Sequence, residues 1–405
     1  MNKPDEKIID EFLTRGVSEV IDRADLKKKL LSGEKLRIKF GTDPTSPNIH
    51  LGRAVTLLKL RDLQQMGHKI VFLIGDFTGV IGDTSDKESE RPMLEQQVVN
   101  ENMKTYMDQV GKLLDMSKVE VVRNSDWLGK LNYGEISEQA DCFSLHDFIS
   151  RENIKKRLDE GKRVSLRELL YPLMQGYDSV VLKADVELGG TDQRFNLLAG
   201  RELQKRYKQE PQNILMMNLI EGLDGRKMSS SWGNTINLLD EPNTMFGKVM
   251  SMGDELIGKY FVHCTRVPME EIAELEKQMQ EGALNPRDAK LRLAGEITAI
   301  YHGEEAAHEA RDYFIKTISE KQIPDDVAEF LVEGGMKLAE LLVKSGNATS
   351  MSDARRKIEQ GGVSLAGQAV DGEKLTDAQM IIGKKLDGKV LKVGKLGFVK
   401  ILIKD

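Results

Sequence analysis

Leu36-Arg-Ile-Lys-Phe-Gly-Thr-Asp-Pro-Thr-Ser-Pro-Asn-Ile-His-Leu-Gly-Arg53, read on through Met66 and into Lys69-Ile-Val-Phe-Leu-Ile74, decides the fold. Leu36 to Phe40 alternates like a strand, Gly41 to Asn48 is loop, Leu51 to Met66 has helical periodicity, and Lys69 to Ile74 is the continuous apolar run of a strand buried in a parallel sheet. Further loops follow at Gly75-Asp-Phe-Thr-Gly79 and Gly82-Asp-Thr-Ser85. Strand, helix, strand with a glycine-rich loop after each strand opens a doubly wound α/β sheet, whose ligands lie beyond the carboxyl ends of the strands. His50 and Gly52 fall in the first helical turn, where free N–H groups and the helix dipole favour a phosphate and glycine lets it approach the backbone. Lys227-Met-Ser-Ser-Ser231 puts a lysine and three hydroxyls on a glycine-flanked loop. Together the two pieces suggest a nucleoside triphosphate held from two sides.

Outward from this nucleus, residues 5–31 read as helical, with Ile8, Ile9, Phe12 and Leu13 as a stripe; 91–117 and 134–160 are mostly helical. Val119–Val122, Ser179–Asp185 and Asn213–Ile220 read as strands, and Thr244–Ile318 as helices, one starting at Asn285-Pro. Pro324 to Gly335 reads as a boundary, followed by two helices and then short strands. The 405 residues call for two or three domains.

Hydrophobic residues make up 40% and charged residues 31%, an ordinary soluble composition. No apolar run approaches the ~18 residues of a membrane span. The start, Met1-Asn-Lys-Pro-Asp-Glu, reads as a charged helix rather than a secretion signal. Cys142 and Cys264 stand far apart with no CxxC pattern, which argues against a disulfide scaffold or zinc site and points to the reducing cytoplasm. Net charge is −6, but Lys337 to Asp405 carries 13 basic and 8 acidic residues. A basic tail on an acidic body suggests nucleic-acid contact at one end, with a solvated lysine-rich surface as the bland alternative.

Gly189-Gly-Thr-Asp-Gln193 offers close backbone approach, an acceptor for ribose hydroxyls at Asp192 and an amide at Gln193, or else an ordinary turn. Tyr171, Gln175 and Asp178 share one helix face, either as a polar binding face or as a half-exposed stripe. Asp83 and Asn124 sit in stretches that also make plain turns, and His50 taken alone is also compatible with a satisfied histidine. Arg355-Arg-Lys357 ahead of Gly361-Gly-Val-Ser-Leu-Ala-Gly367 looks more like a reader of RNA backbone than of DNA.

Assembled, these pieces resemble the bacterial tyrosyl-tRNA synthetases over essentially the whole length. His50-Leu-Gly-Arg53 and Lys227-Met-Ser-Ser-Ser231 are similar to the two class I signatures. Leu169-Leu-Tyr-Pro-Leu-Met-Gln-Gly-Tyr-Asp178, Gly189-Gly-Thr-Asp-Gln-Arg-Phe-Asn196, Gly82-Asp83 and Asn124-Ser-Asp-Trp127 resemble the amino-acid and ribose segments. The ending resembles the ribosomal S-four-type RNA-binding domain. The resemblance implies a Rossmann-like catalytic domain over 1–235 with a helical insertion at about 95–175, an α-helical anticodon-side domain over 236–330, and a small α+β RNA-binding domain over 331–405. It implies a cytoplasmic homodimer that activates L-tyrosine with ATP and Mg²⁺ and then esterifies tRNA(Tyr), with no protein-ligated metal. By residue, ATP would meet Gly41, Asp43, Thr45, His50, Gly52, Arg53, Asp192, Gln193, Lys227, Met228, Ser230 and Ser231, with His50, Lys227, Thr45 and Arg53 acting on the triphosphate. Tyrosine would meet Asp83, Asn124, Tyr171, Gln175, Asp178 and Gln193, with Asp178 accepting from the phenol. RNA would meet Lys344, Arg355, Arg356 and Lys357.

Three residues depart from the family pattern. Arg53 stands where the first signature has its second histidine, Ser230 where the second has its second lysine, and Lys39 where many relatives carry a tyrosine that contacts the substrate phenol. Arg53 is expected to restore part of the charge lost at Ser230; a monovalent cation bound near Ser230 is the rival explanation. The sister enzyme for tryptophan and a catalytically silent RNA-binding relative are the alternatives. The first is opposed by an aspartate at 178 and by the basic tail, the second by the full set of tyrosine and ribose residues.

Overall fold

The computed structural model describes residues 5–83, 93–319, 327–332, 335–366, 373–394 and 397–404, apart from the side chains of Ser231, Ile318 and Ser319. The first four residues, Thr84 and Ser85, residues 324–326 and 333–334 of the boundary, and Gly367 lie outside the described residues. Two compact units emerge: Met1–Leu239 with Met252–Pro286, and Asp240–Ser251 with Arg287–Asp405. The helices Ile257–Cys264 and Met269–Gln280, expected in a separate helical domain, fall in the first unit. Polar ties explain why: Arg15 donates to the carbonyls of Val262, Phe261 and Thr265, and Arg266 grips Asp62 through two nitrogens.

The first unit is built on a sheet of β1 (Val17–Ile21), β2 (Arg37–Thr42), β3 (Lys69–Ile74), β4 (Glu120–Arg123), β5 (Val186–Gly190) and β6 (Asn213–Met217). Its spatial order is β1-β6-β5-β2-β3-β4, parallel except for β1, which runs antiparallel along β6. The Leu51–Gln65 helix joins β2 to β3, and the Arg194–Arg206 helix joins β5 to β6. From β2 the chain winds towards β4; from β5 it winds the other way. The strand order therefore reverses between β2 and β5, the place where such sheets open a crevice for ligands.

Two expectations fail here. Residues 5–31 are not one helical stretch: Gly16 (φ 65°) and Asp22 (φ 61°) break it, and β1 lies between them. Ser179–Asp185 is not a strand: the Leu166–Leu182 helix runs through it, Lys183 (φ 49°) ends the helix, and the strand begins at Val186. A short run such as Val-Val-Leu reads alike in a buried helix end and a buried strand. The Leu166–Leu182 helix starts with a capping box formed by Ser165 and Glu168. It crosses the Arg194–Arg206 helix at Gly176, where a Cβ would lie 3.0 Å from the Ala199 backbone.

The second unit contains the Pro242–Ser251 and Glu304–Phe314 helices and a sheet of β7 (Glu329–Val332), β8 (Val363–Ala366), β9 (Val390–Val393) and β10 (Gly397–Ile403), ordered β7-β10-β9-β8. The Leu338–Lys344 and Met351–Glu359 helices pack through Leu338, Leu341, Leu342, Ala354 and Ile358 against Val363, Leu391, Val399 and Ile401. One strand precedes these helices, where the sequence reading had strands only after them. Among the described residues no helix is long and apolar enough to cross a membrane.

Candidate active site

A cavity of about 320 Å³ opens in the first unit at the carboxyl ends of β2, β3 and β5. Gly41, Asp43, Thr45, His50, Gly52, Arg53, Asp83, Asn124, Tyr171, Gln175, Asp178, Asp192, Gln193, Lys227, Met228 and Ser230 all line it. Of the expected ligand-binding residues only Ser231 is not placed, its side chain lying outside those described.

One side of the cavity is formed by the start of the Leu51–Gln65 helix and the lysine loop. His50 caps the Leu51–Gln65 helix with extended backbone and is stitched to the segment after the lysine loop: Leu51 N donates to Ile236 O at 2.8 Å, and Leu238 N to Ile49 O at 2.9 Å. Gly52 N points at Met228 Sδ (3.3 Å), and a Cβ on Gly52 would stand 3.0 Å from His50 Nδ1. Burial, then Arg53 and Lys227, push the His50 imidazole down to about 3, so it is neutral at ordinary pH. Its Nδ1 is buried without a protein partner. Lys227 Nζ lies 3.0 Å from Asp192 Oδ2. Within the lysine loop, Asn234 accepts from Ser229 N and donates to Asp224 and to Lys227 O.

Arg53 donates from Nη1 to the buried Tyr106 hydroxyl at 2.6 Å. Tyr106 belongs to a short helix whose neighbourhood braces the first loop. Gln109 accepts from Ile49 N at 2.7 Å and donates to Pro47 O at 2.9 Å; Thr105 reaches Pro47 O and Asn102 reaches Pro44 O, each at 2.9 Å. A segment read only as helical insertion thus holds the loop between β2 and the Leu51–Gln65 helix in place.

The opposite side carries a continuous polar chain. Tyr171 donates to Asp43 Oδ2 (2.8 Å), Thr78 donates to Asp43 Oδ1 (2.8 Å), Asn124 donates to Thr78 Oγ1 (2.9 Å), and Asn124 also reaches Asp178 Oδ2 (3.3 Å). Trp127 Nε1 donates to Asp178 Oδ1 at 2.8 Å. Asp178 is 1% exposed. Burial raises its carboxyl to about 7 against the opposing pull of Lys39, Trp127 and Asn124. Gln193 donates to Asp83 at 2.6 Å and accepts from Asn196 at 3.0 Å. A Cβ on Gly75 would stand 2.0 Å from Asp43 Oδ1, so only glycine fits beneath this chain.

This arrangement pairs a helix N-terminus and a lysine with a polar wall that includes a buried carboxylate. The profile described as tRNA synthetases class I (W and Y) matches residues 31–319. A tyrosine–tRNA ligase of Carboxydothermus hydrogenoformans is 46% identical over 403 residues, covering 97% of each chain, and that of Thermotoga maritima is 44% identical, covering 98% of each.

The chain belongs to the bacterial tyrosine–tRNA ligases.

The crystal structure of a tyrosyl-tRNA synthetase complexed with L-tyrosine from Archaeoglobus fulgidus superposes with a TM-score of 0.59 at 25% identity, over 75% of this ligase and 99% of that chain. Several residues in or behind the site of this ligase escaped the sequence reading, among them Thr78, Trp127, Tyr106 and Glu187. Thr78 sits in a loop already recognised as ligand-facing, and Trp127 in a quoted motif, so both had a signal. Tyr106 and Glu187 had none: only folding brings Glu187 to the cavity and Tyr106 behind Arg53. Lys39 does not line the cavity; it is fully buried against Glu187 at 2.9 Å. The four expected RNA contacts lie in the second unit. Lys344 and Arg355 are exposed, while Arg356 and Lys357 are engaged with Asp353.

Proposed function

We propose that this chain joins L-tyrosine to ATP, releasing pyrophosphate, and then passes the tyrosyl group to the 3′-terminal adenosine of tRNA(Tyr). The observation that carries the reading is the buried Asp178 in the cavity wall, two donors already on it and a lone pair on each oxygen left for a phenol O–H. Phenylalanine has no side-chain donor, and a site that pairs a buried carboxylate with a hydroxyl rejects it strongly.

In the first step an oxygen of the tyrosine carboxylate attacks the α-phosphorus, the new P–O bond forms, and the bond to the bridging oxygen breaks as pyrophosphate leaves. In the second, a ribose hydroxyl of the terminal adenosine attacks the acyl carbon and AMP departs. No protein nucleophile is needed; positioning and charge stabilisation suffice. Asp178 takes the phenol; Tyr171, Gln175 and Asp83 surround the ammonium; Asp192 takes the ribose. Neutral His50 donates a hydrogen bond as charge builds on the phosphate, with Thr45 and Lys227 beside it. Mg²⁺, carried by the triphosphate, would offset charge there. Arg53, steadied by Tyr106, supplies the cation missing at Ser230; a monovalent cation there is the rival, and unchanged nucleotide kinetics on swapping K⁺ for a bulky organic cation would exclude it.

The homodimer and the tRNA contact belong to the same proposal. Tyr133, Leu145, Leu158 and Leu166 are exposed apolar residues of the first unit, and we assign the contact with a second copy to them. Residues 331–405 are proposed as the RNA-binding module, and the two free thiols suit a cytoplasmic protein. The deciding experiment is ATP–pyrophosphate exchange with tyrosine, phenylalanine and tryptophan. Exchange with tyrosine alone is expected; exchange with none of them in a folded protein would overturn the reading.

A further inference from the structure

Lys39 and Glu187 form an ion pair in the middle of the sheet, Nζ to Oε1 at 2.9 Å, with side-chain exposures of 0% and 2%. They face each other in the β2/β5 register, at the strand pair where the winding reverses. A pair so buried is weak as a stabilising device, because desolvation offsets its attraction. Its other bonds show where it acts. Lys39 Nζ donates to Gln175 O and to Ser179 Oγ, both at 2.8 Å. Those atoms flank Asp178, one helical turn before it and one residue after. Glu187 Oε1 accepts from Gln175 Nε2 at 3.2 Å, and Oε2 accepts from Ser179 Oγ at 3.1 Å and from Gln212 Nε2. The pair therefore reaches out of the sheet and grips the one face of the Leu166–Leu182 helix that carries both Gln175 and Asp178.

We propose that the Lys39–Glu187 pair is a specificity-determining positioning unit for the amino-acid slot, with Lys39 acting on the phenol from beneath the cavity by fixing Asp178 rather than by touching substrate. The inference rests on the tyrosine reading of the slot. Glu187 orients the Gln175 amide, and Lys39 fixes the height of the helix and places a positive charge behind the Asp178 carboxylate. Position 39 thus serves the phenol without projecting into the slot.

The test compares Lys39→Met, Glu187→Leu and the double variant in the full chain, each assayed for tyrosine- and phenylalanine-dependent pyrophosphate exchange. The parent protein must exchange with tyrosine; if it does not, the tyrosine reading fails and this inference with it. Each single variant strands one buried charge and is expected to lower Tm, while the double variant, with no charge to bury, recovers much of it. Despite that recovery, the double variant is expected to lose about tenfold or more of its tyrosine-over-phenylalanine ratio of kcat/KM, through a raised KM for tyrosine with the KM for ATP unmoved. A double variant with the parent's ratio and tyrosine KM would make the pair a register lock and nothing more. If the double variant does not fold, Ser179→Ala removes a bond to each member of the pair without stranding a charge. Its tyrosine KM is expected to rise a few-fold, and a parental value would overturn the proposal.

Discussion

At Asp178 the decisive quantity is the energy of holding a carboxylate away from water. The anion binds a phenol donor better than the neutral acid does, so kcat/KM for tyrosine is expected to rise with pH through about 7 and then level. A flat profile across roughly pH 6–8 would remove Asp178 from that role. Its effect on stability has the opposite slope. A value raised above the unfolded one favours the fold at low pH, and that contribution is lost as pH rises through about 7. His50 is the reverse case: its value is depressed, so its contribution is present above 6.5 and is lost as pH falls towards about 3. Arg53 and Tyr106 yield a sharper prediction. Arg53→His is expected to raise the ATP KM about tenfold, and Tyr106→Phe to do so about threefold, with little change for tyrosine. In the Arg53→His background Tyr106→Phe is expected to add nothing. Full additivity would show that the Tyr106 hydroxyl does not act through Arg53.

Among the elements, β2, the Leu51–Gln65 helix and β3 were legible in the sequence because each has a clean period and a glycine loop after it. Short elements were not. β1 is five residues between two left-handed turns, and the end of the Leu166–Leu182 helix carries a strand-like triplet. Site residues were legible where a motif carried them. The bracing by Asn102, Thr105, Tyr106 and Gln109 was not, since its partners are mostly backbone atoms some 50–60 positions away, and backbone contacts leave no residue-type signature. The Lys39–Glu187 pair was hidden for the same reason: it exists only through strand register. The loop after β3 offers a test at this scale. Gly75→Ala would press a methyl onto the Asp43 carboxylate and is expected to raise the tyrosine KM about tenfold and to lower Tm by several degrees. A variant with parental tyrosine kinetics would show that the Tyr171–Asp43–Thr78 chain is not needed for binding.

For the molecule as a whole, the charge imbalance of the last 69 residues is now attached to a compact sheet-and-helix body with its own core. Removing 331–405 is expected to leave tyrosine-dependent exchange within about twofold while weakening tRNA charging strongly. Arg355→Ala with Lys344→Ala is expected to reduce the salt slope of tRNA affinity by about one to two units, as loss of phosphate contacts requires. An unchanged slope would place the RNA surface elsewhere. The assembly proposal is checked by sedimentation: about twice the 45.5 kDa chain mass is expected, and a Leu145→Asp, Leu166→Asp variant should run as a single chain. A parent that already sediments at the single-chain mass would overturn it.

On the proposed reading, the contact between Lys227 and Asp192 gives the nucleotide a competitor within the enzyme itself. Each group is the other's decoy: the carboxylate occupies the cation that a phosphate would claim, and the ammonium occupies the acceptor that a ribose would claim. Nucleotide entry is then an exchange of partners, and its apparent affinity is scaled by the fraction of time the pair stands open. Asp192→Asn should therefore weaken ATP but tighten inorganic pyrophosphate, which has no ribose to lose and no longer meets the Asp192 carboxylate as a competitor at Lys227. Opposite movements of the two ligands would be the mark of a pocket that guards its own charge while it waits.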